Sequence, residues 1–100
     1  MMNIQALMKQ AQAMQKNLMD SKKKIEEMTF EGTSELVTVK MNGKREILSV
    51  KIKEDTHLEQ DDFEILEDMV MIAVNDALKK VEQEINSKLG SQAGALGGLL

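Results

Sequence analysis

One dipeptide, Asn42-Gly43, constrains this chain more than any other feature, because it sits between two runs of alternating apolar and polar residues. Before it, Val37, Val39 and Met41 alternate with Thr38 and Lys40. After it, Leu48, Val50 and Ile52 alternate with Ser49, Lys51 and Lys53. Period-two alternation on both sides of Asn-Gly predicts a β-hairpin closed by a two-residue type I′ loop, whose central residues both need positive φ. In that register Met41 faces Lys44, Lys40 faces Arg45 and Val37 faces Leu48. Val37, Val39, Leu48, Val50 and Ile52 then share one face, which a hairpin cannot leave bare in water.

The flanking segments supply the cover. Asn3 to Met28 contains no Gly or Pro, and is rich in Ala, Gln, Lys, Met and Leu, all good helix formers. Ile4, Leu7, Ala11, Met14, Leu18, Ser21, Ile25 and Met28 follow a 3-4 spacing, a heptad seam interrupted only by Ser21. Thr29 to Thr33 predicts a first strand, and Thr33-Ser34-Glu35 a turn into the hairpin. Asp61 and Glu64 have the spacing of a capping box opening a second long helix. Its stripe is Phe63, Leu66, Val70, Ala73, Ala77, Val81 and Ile85, broadened by Ile65, Met69, Ile72, Val74, Leu78 and Leu89. That is more apolar surface than one small sheet requires. Gly90 is the expected helix stop. The predicted organisation is a single α+β domain over residues 1–90, of order α-β-β-β-α, followed by a flexible Gly-rich tail over residues 91–100.

Composition narrows the function. At 100 residues, 42% hydrophobic and 30% charged, the chain is a globular single domain. It has no Cys, no Trp and no Tyr, two Phe and nine Met. Without Cys there is no disulfide framework and no thiolate zinc site, which suits a cytoplasmic protein. No apolar run approaches the roughly 20 residues that span a bilayer, and the first residues do not have the form of a signal peptide. His57, the only histidine, lies in an acidic linker with no nucleophile or second ligand near it in sequence. Glu54 to Asp68 carries eight carboxylates and no cation, without the spacing of a calcium loop. There is no Gly-rich phosphate loop. No catalytic site, metal, cofactor or small-molecule substrate is expected, and the Met residues Met8, Met14, Met19, Met28, Met69 and Met71 belong to core or interface.

The net charge of −4 hides an asymmetry. Residues 1–53 hold ten Lys/Arg against six Asp/Glu, and residues 54–100 hold three against eleven. Lys9, Lys16 and Lys23 align at seven-residue spacing on one edge of the first helix, and Lys22-Lys23-Lys24 spread around it. Lys79, Lys80 and Lys88 lie in the second half of the last helix. Lys40, Lys44 and Arg45 gather at the hairpin tip as secondary candidates. On the residues alone, ordinary solvated faces and i,i+4 pairs are the favoured account of these lysines. As a functional set they suit phosphate contact, which needs cations but no base-reading side chain. The shortage of aromatics argues against single-strand or RNA recognition by stacking.

The stretches IQALMKQAQAMQKNL, VTVKMNGKREILSVKI and LEDMVMIAVNDALKKVEQE, in this order and spacing, resemble the YbaB/EbfC family of bacterial nucleoid-associated proteins. Lys9-Gln10-Ala11-Gln12-Ala13-Met14, Met41-Asn42-Gly43-Lys44 and Asn75-Asp76-Ala77 carry the resemblance, which covers about the first ninety residues. It implies an α-β-β-β-α protomer, a homodimer and double-stranded DNA binding in the cytoplasm and nucleoid, without enzymatic activity. It also implies helices that straddle DNA, with Lys9, Lys16, Lys22, Lys23, Lys24, Lys79, Lys80 and Lys88 as phosphate contacts. The chain departs from the family pattern at Thr33-Ser34-Glu35, where Gly is usual, and at Lys53-Glu54, where Asp-Pro is common. Two other readings of the residues stand beside this one. One is a protein–protein adaptor docking a partner helix on its apolar seam, with DNA affinity incidental. The other is a small regulatory subunit of a DNA-repair or replication complex.

Overall fold

The computed structural model describes residues 3–96, with side chains through Gly90. Helix α1 (Ile4–Glu27) leads into strands β1 (Thr29–Thr33), β2 (Val37–Asn42) and β3 (Ile47–Ile52), and a 3₁₀ turn (Gln60–Asp62) opens helix α2 (Phe63–Leu96). The three strands form one antiparallel sheet in the order β1-β2-β3. This is the expected α+β protomer of order α-β-β-β-α.

Local chemistry explains the boundaries. Asn3 caps α1, its Oδ1 accepting from the Gln5 and Ala6 N–H groups at 3.1 and 3.4 Å. The capping box sits earlier than Asp61 and Glu64 suggest, ahead of the 3₁₀ turn rather than of α2 itself. The Asp62 carboxylate accepts from the Glu59 N–H at 2.9 Å, so the reach-back bond that opens the 3₁₀ turn is made two residues sooner. At the other end, α2 runs through Gly90 to Leu96 instead of stopping at Gly90. Gly90 does not adopt the positive φ of a helix-terminating glycine, and the space where its Cβ would lie is open. A glycine inside a helix costs about 1 kcal/mol, which ends a helix only when the neighbouring turns lack support. Leu89, one residue before it, is buried. Of the tail expected to be flexible, residues 97–100 lie outside the described residues.

The hairpin corrects the expected turn and register. Its loop has three residues, Gly43, Lys44 and Arg45, closed by the Arg45 N–H on the Asn42 carbonyl (3.1 Å) and by the Asn42 N–H on the Glu46 carbonyl (3.0 Å). The left-handed residue is Arg45 (φ 66°), and Gly43 is not left-handed. Asn42 organises the loop, its Oδ1 accepting from the N–H groups of Lys44 (2.9 Å) and Glu46 (3.1 Å). Val37 therefore pairs with Ile52 and Val39 with Val50, while Met41 pairs with Ile47 across a bulge that leaves Leu48 as the extra residue. The expected pairing of Val37 with Leu48 is displaced by four residues. An even shift preserves which side chains share a face, so Val37, Val39, Val50 and Ile52 remain together.

Packing departs from the expected cover. Only α2 lies on the apolar face, and it lies over β1 and β2. Phe30, Gly32, Val37, Val39 and Met41 are buried there with Ala73, Ala77 and Val81. Gly32 is obligatory, since a Cβ on it would overlap the Ala73 carbonyl and the Ala77 amide of α2. Ser34 Oγ pins α2 further, donating to the Met69 carbonyl at 2.8 Å. Helix α1 does not cover the sheet. Its Leu18 and Ile25 join the buried cluster beside Val81 and Leu89, and every described residue before Leu18 is exposed. The heptad seam is thus buried only in its last third, with Ile4 at 69% and Met14 at 54% exposure. All six residues of β3 are exposed, because one helix of about 10 Å cannot span three strands spaced about 4.8 Å apart when it is centred over the first two.

Candidate nucleic-acid interface

The molecule is elongated, measuring 75 × 19 × 15 Å. The acidic run Glu54–Asp68 begins at one end of its sheet. Lys53 N–H donates to the Leu36 carbonyl, which fixes the start of the Glu54–Asp68 segment at the β1–β2 turn end of the sheet. The Ser34–Met69 bond holds the first turns of α2 at that same end. At the far end of the strands, the loop Gly43–Arg45 meets Lys22, Ile25 and Glu26 of α1 and Ile85 and Leu89 of α2. From there α1 extends with Lys9 and Lys16 and with no carboxylate before Asp20. The acidic run Glu54–Asp68 and the outer half of α1 therefore lie apart, while nearer the sheet Asp20, Glu26, Glu27 and Glu84 stand among the lysines of α1 and α2.

The three consecutive lysines of α1 face different neighbours. Lys22 shares a cleft with Lys44 and Arg45 of the hairpin loop. Lys24 lies beside Lys88 of α2 in a groove also lined by Ser21, Met28 and Glu84. Lys23 stands with Lys44 on one side and with Lys24 on the other, accompanied by Asp20 and Glu27. Helical geometry at about 100° per residue makes this fan unavoidable, and it joins the hairpin-tip cations to the helix lysines.

The other candidates separate from this group. Lys40 stands on the polar face of the sheet, paired across strands with Glu31 and Ser49. Lys80 has structural work: its Nζ donates to the Glu31 carbonyl at 2.6 Å and lies 3.5 Å from Asp76. Asp76 in turn accepts from the Thr33 N–H at 2.9 Å. That backbone hydrogen bond, helped by the charges of Lys80 and Lys79, holds the Asp76 carboxyl below its ordinary pKa. Sequence reasoning missed the Asp76–Lys80 pair as a structural device. Their i,i+4 spacing was visible, but the strand edge they cap was not.

His57 contacts only Glu59, at 2.8 Å, and is exposed. Among the described residues no cluster of three or more His, Cys, Asp or Glu could hold a metal ion, and no helix is long and apolar enough to cross a membrane.

Fold and surface together define a small α+β protein with a lysine-bearing helix projecting from its sheet. Residues 1–96 match the YbaB/EbfC DNA-binding family, and the chain belongs to it. It is 45% identical over 97 residues to a nucleoid-associated protein of Lachnoclostridium phytofermentans, covering 95% of this chain and 81% of that one. It is 47% identical over 92 residues to a nucleoid-associated protein of Lactococcus lactis subsp. lactis, covering 90% of this chain and 92% of that one. The fold is also that of an uncharacterized protein of Helicobacter pylori known from a crystal structure. That likeness has a TM-score of 0.69 at 23% identity and covers 97% of this chain and all of the other.

Proposed function

We propose that this chain is a homodimeric nucleoid protein that binds duplex DNA through backbone phosphates, with no catalytic step. The observation that carries the reading is the placing of cations on a projecting helix. Helix α1 bears exposed lysines with no carboxylate before Asp20, and the eight-carboxylate run Glu54–Asp68 starts at the opposite end of the sheet. Nearer the core, Asp20, Glu26, Glu27 and Glu84 accompany the lysines. Lys9, Lys16, Lys22, Lys23, Lys24, Lys79 and Lys88 are the contacts, with Lys44 and Arg45 joining Lys22. Lys80 contributes chiefly by holding β1. Cations without base-reading partners position a protein on DNA and carry little sequence preference.

The homodimer follows from the bare half of the sheet. Ile47, Leu48, Val50 and Ile52 are between 40% and 55% exposed, and α2 presents Phe63, Ile65, Met71 and Ile72 at its flanks. A second copy can lay its own α2 over β3, and the two-fold repeat of that contact covers both copies at once. A dimer has two basic arms, which is the arrangement needed to hold a duplex at two places and to bend or bridge it. The adaptor reading has the exposed α1 seam in its favour, but membership of a DNA-binding family does not favour it.

Changing Lys22, Lys23 and Lys24 together to Gln tests the DNA reading by fluorescence anisotropy at several salt concentrations. Gln retains helix propensity, so charge is the main loss. The expected result is weaker binding to unrelated duplexes alike, with a salt slope lower by about 0.9 for each phosphate that is no longer neutralised. Neutralising Glu59 to Asp68 should strengthen binding or leave it unchanged. An unaltered affinity and slope in the triple variant would move the DNA site away from these lysines.

A further inference from the structure

The cleft between α1 and the hairpin loop differs from the rest of the basic surface. It encloses about 200 Å³, and its polar lining is Lys22 and Glu26 from α1 with Lys44 and Arg45 from the loop. Three cations from two elements thus converge on one small volume against a single carboxylate. Asp20 and Glu27 do not line this cleft but stand in the adjoining one, which shares Lys22, Glu26 and Lys44 with it, and Glu46 is engaged with Asn42 Nδ2 at 2.9 Å.

We propose that this cleft seats one backbone phosphate, with Lys22, Lys44 and Arg45 as its ligands, so that the hairpin loop is a point of DNA contact beside the exposed lysines of the helices. The proposal rests on the DNA-binding reading above. Its physical basis is preorganisation. Gly43 packs directly on the last turns of α1, where a Cβ would overlap the Ile25 carbonyl, so the loop cannot drift from the helix. Within the loop, the Asn42 side chain holds the Lys44 and Glu46 amides, and the Asn42 carbonyl holds the Arg45 N–H. Arg45 is kept at φ 66°, a conformation that glycine would adopt more readily. A non-glycine residue there places a guanidinium at the tip, and the planar fork of Arg suits phosphate oxygens. Cations carried on a loop whose backbone is already fixed cost less ordering on contact than cations on a segment that must first be arranged. Glu26 moderates the site, since its charge opposes the incoming phosphate.

The test uses the full chain and a fluorescein-labelled duplex, with anisotropy measured over a salt series for Lys22→Gln, Arg45→Gly, their combination and Glu26→Gln. Arg45→Gly removes the guanidinium while supplying the residue that best fits the turn, so its melting temperature should hold or rise. Arg45→Gln is the companion variant that leaves the backbone preference unrelieved. Each single cation change should weaken binding several-fold and lower the salt slope by less than about 0.9 per cleft, because the remaining cations still partly neutralise the phosphate. The double variant should lower the slope by no more than about 0.9 per cleft in all, because both residues serve one phosphate. Glu26→Gln should tighten binding several-fold. Undiminished affinity in both Arg45 variants would overturn the proposal, as would a double-variant slope loss well beyond about 0.9 per cleft, which reports two separate phosphates. Absence of salt-dependent binding by the wild-type protein would instead overturn the DNA reading.

Discussion

β1 and β3 are the two edge strands of one sheet, and α2 treats them in opposite ways. On β1, the outward-facing Thr33 N–H is taken by the Asp76 carboxylate and the Glu31 carbonyl by Lys80. Gly32 lets the helix backbone come right up against the strand. On β3, no side chain among the described residues bonds the outer edge, and the apolar face stays exposed. The residues do not account for the difference, since β3 is the more apolar strand. Position relative to one helix does. A strand whose edge and face are both closed is finished within the protomer. A strand left open on both keeps its edge and its apolar face free for a partner, as proposed above.

The largest test of this comparison uses one cross-strand pair, Met41 and Ile47, in which the first is 1% exposed and the second 49%. Met41→Ala should cost about 2–5 kcal/mol at any protein concentration, as expected for truncation in a sealed core. Ile47→Ala should cost far less within the protomer, and its effect should grow as the protein is concentrated if a second copy covers β3. Denaturant melts at two concentrations separate the cases, and sedimentation should report a dimer of the 11.2 kDa chain that Ile47→Ala weakens. A concentration-independent loss for Ile47→Ala would remove β3 from the interface.

A smaller effect is expected at Gly32. Gly32→Ala forces a methyl into the α2 backbone and should destabilise by about 1–3 kcal/mol, measured from the urea midpoint. Gly90→Ala is the opposing control: its Cβ meets nothing, so helix propensity should win and raise stability by up to about 1 kcal/mol. If both glycines respond alike, close approach at β1 is not what fixes α2.

The smallest effect concerns the cap on β1. Asp76 has a folded-state pKa below its unfolded value, so its contribution is complete above the unfolded carboxylate pKa of about 3.9. It is lost as pH falls through the lower folded value. Asp76→Asn should therefore lower the melting temperature near neutral pH, and the gap from wild type should close in acid. A gap that is independent of pH would mean that the charge on Asp76 does not matter to the cap.

Much of this was legible in the chain. β1 was set by TFEGT, the hairpin by alternation about Asn42-Gly43, and both helices by periodicity and the absence of breakers. The faces survived a four-residue error in register, because strand periodicity depends only on parity. Other features were not legible. Asn-Gly fits two loop lengths, and the choice fell to a contact remote in sequence, Gly43 against the Ile25 carbonyl, with Arg45 taking the left-handed position. Gly32 looked like an ordinary strand glycine until Ala73 and Ala77 were placed over it. The lysines were visible as a count and a spacing. Which of them gather, as Lys22 does with Lys44 and Arg45, and which is diverted to a strand edge, as Lys80 is, was decided by how α1 and α2 lie on the sheet. Local periodicity is a property of neighbouring residues and can be read from them. Burial and charge clustering depend on distances between segments far apart in the chain, and only the packed structure supplies those.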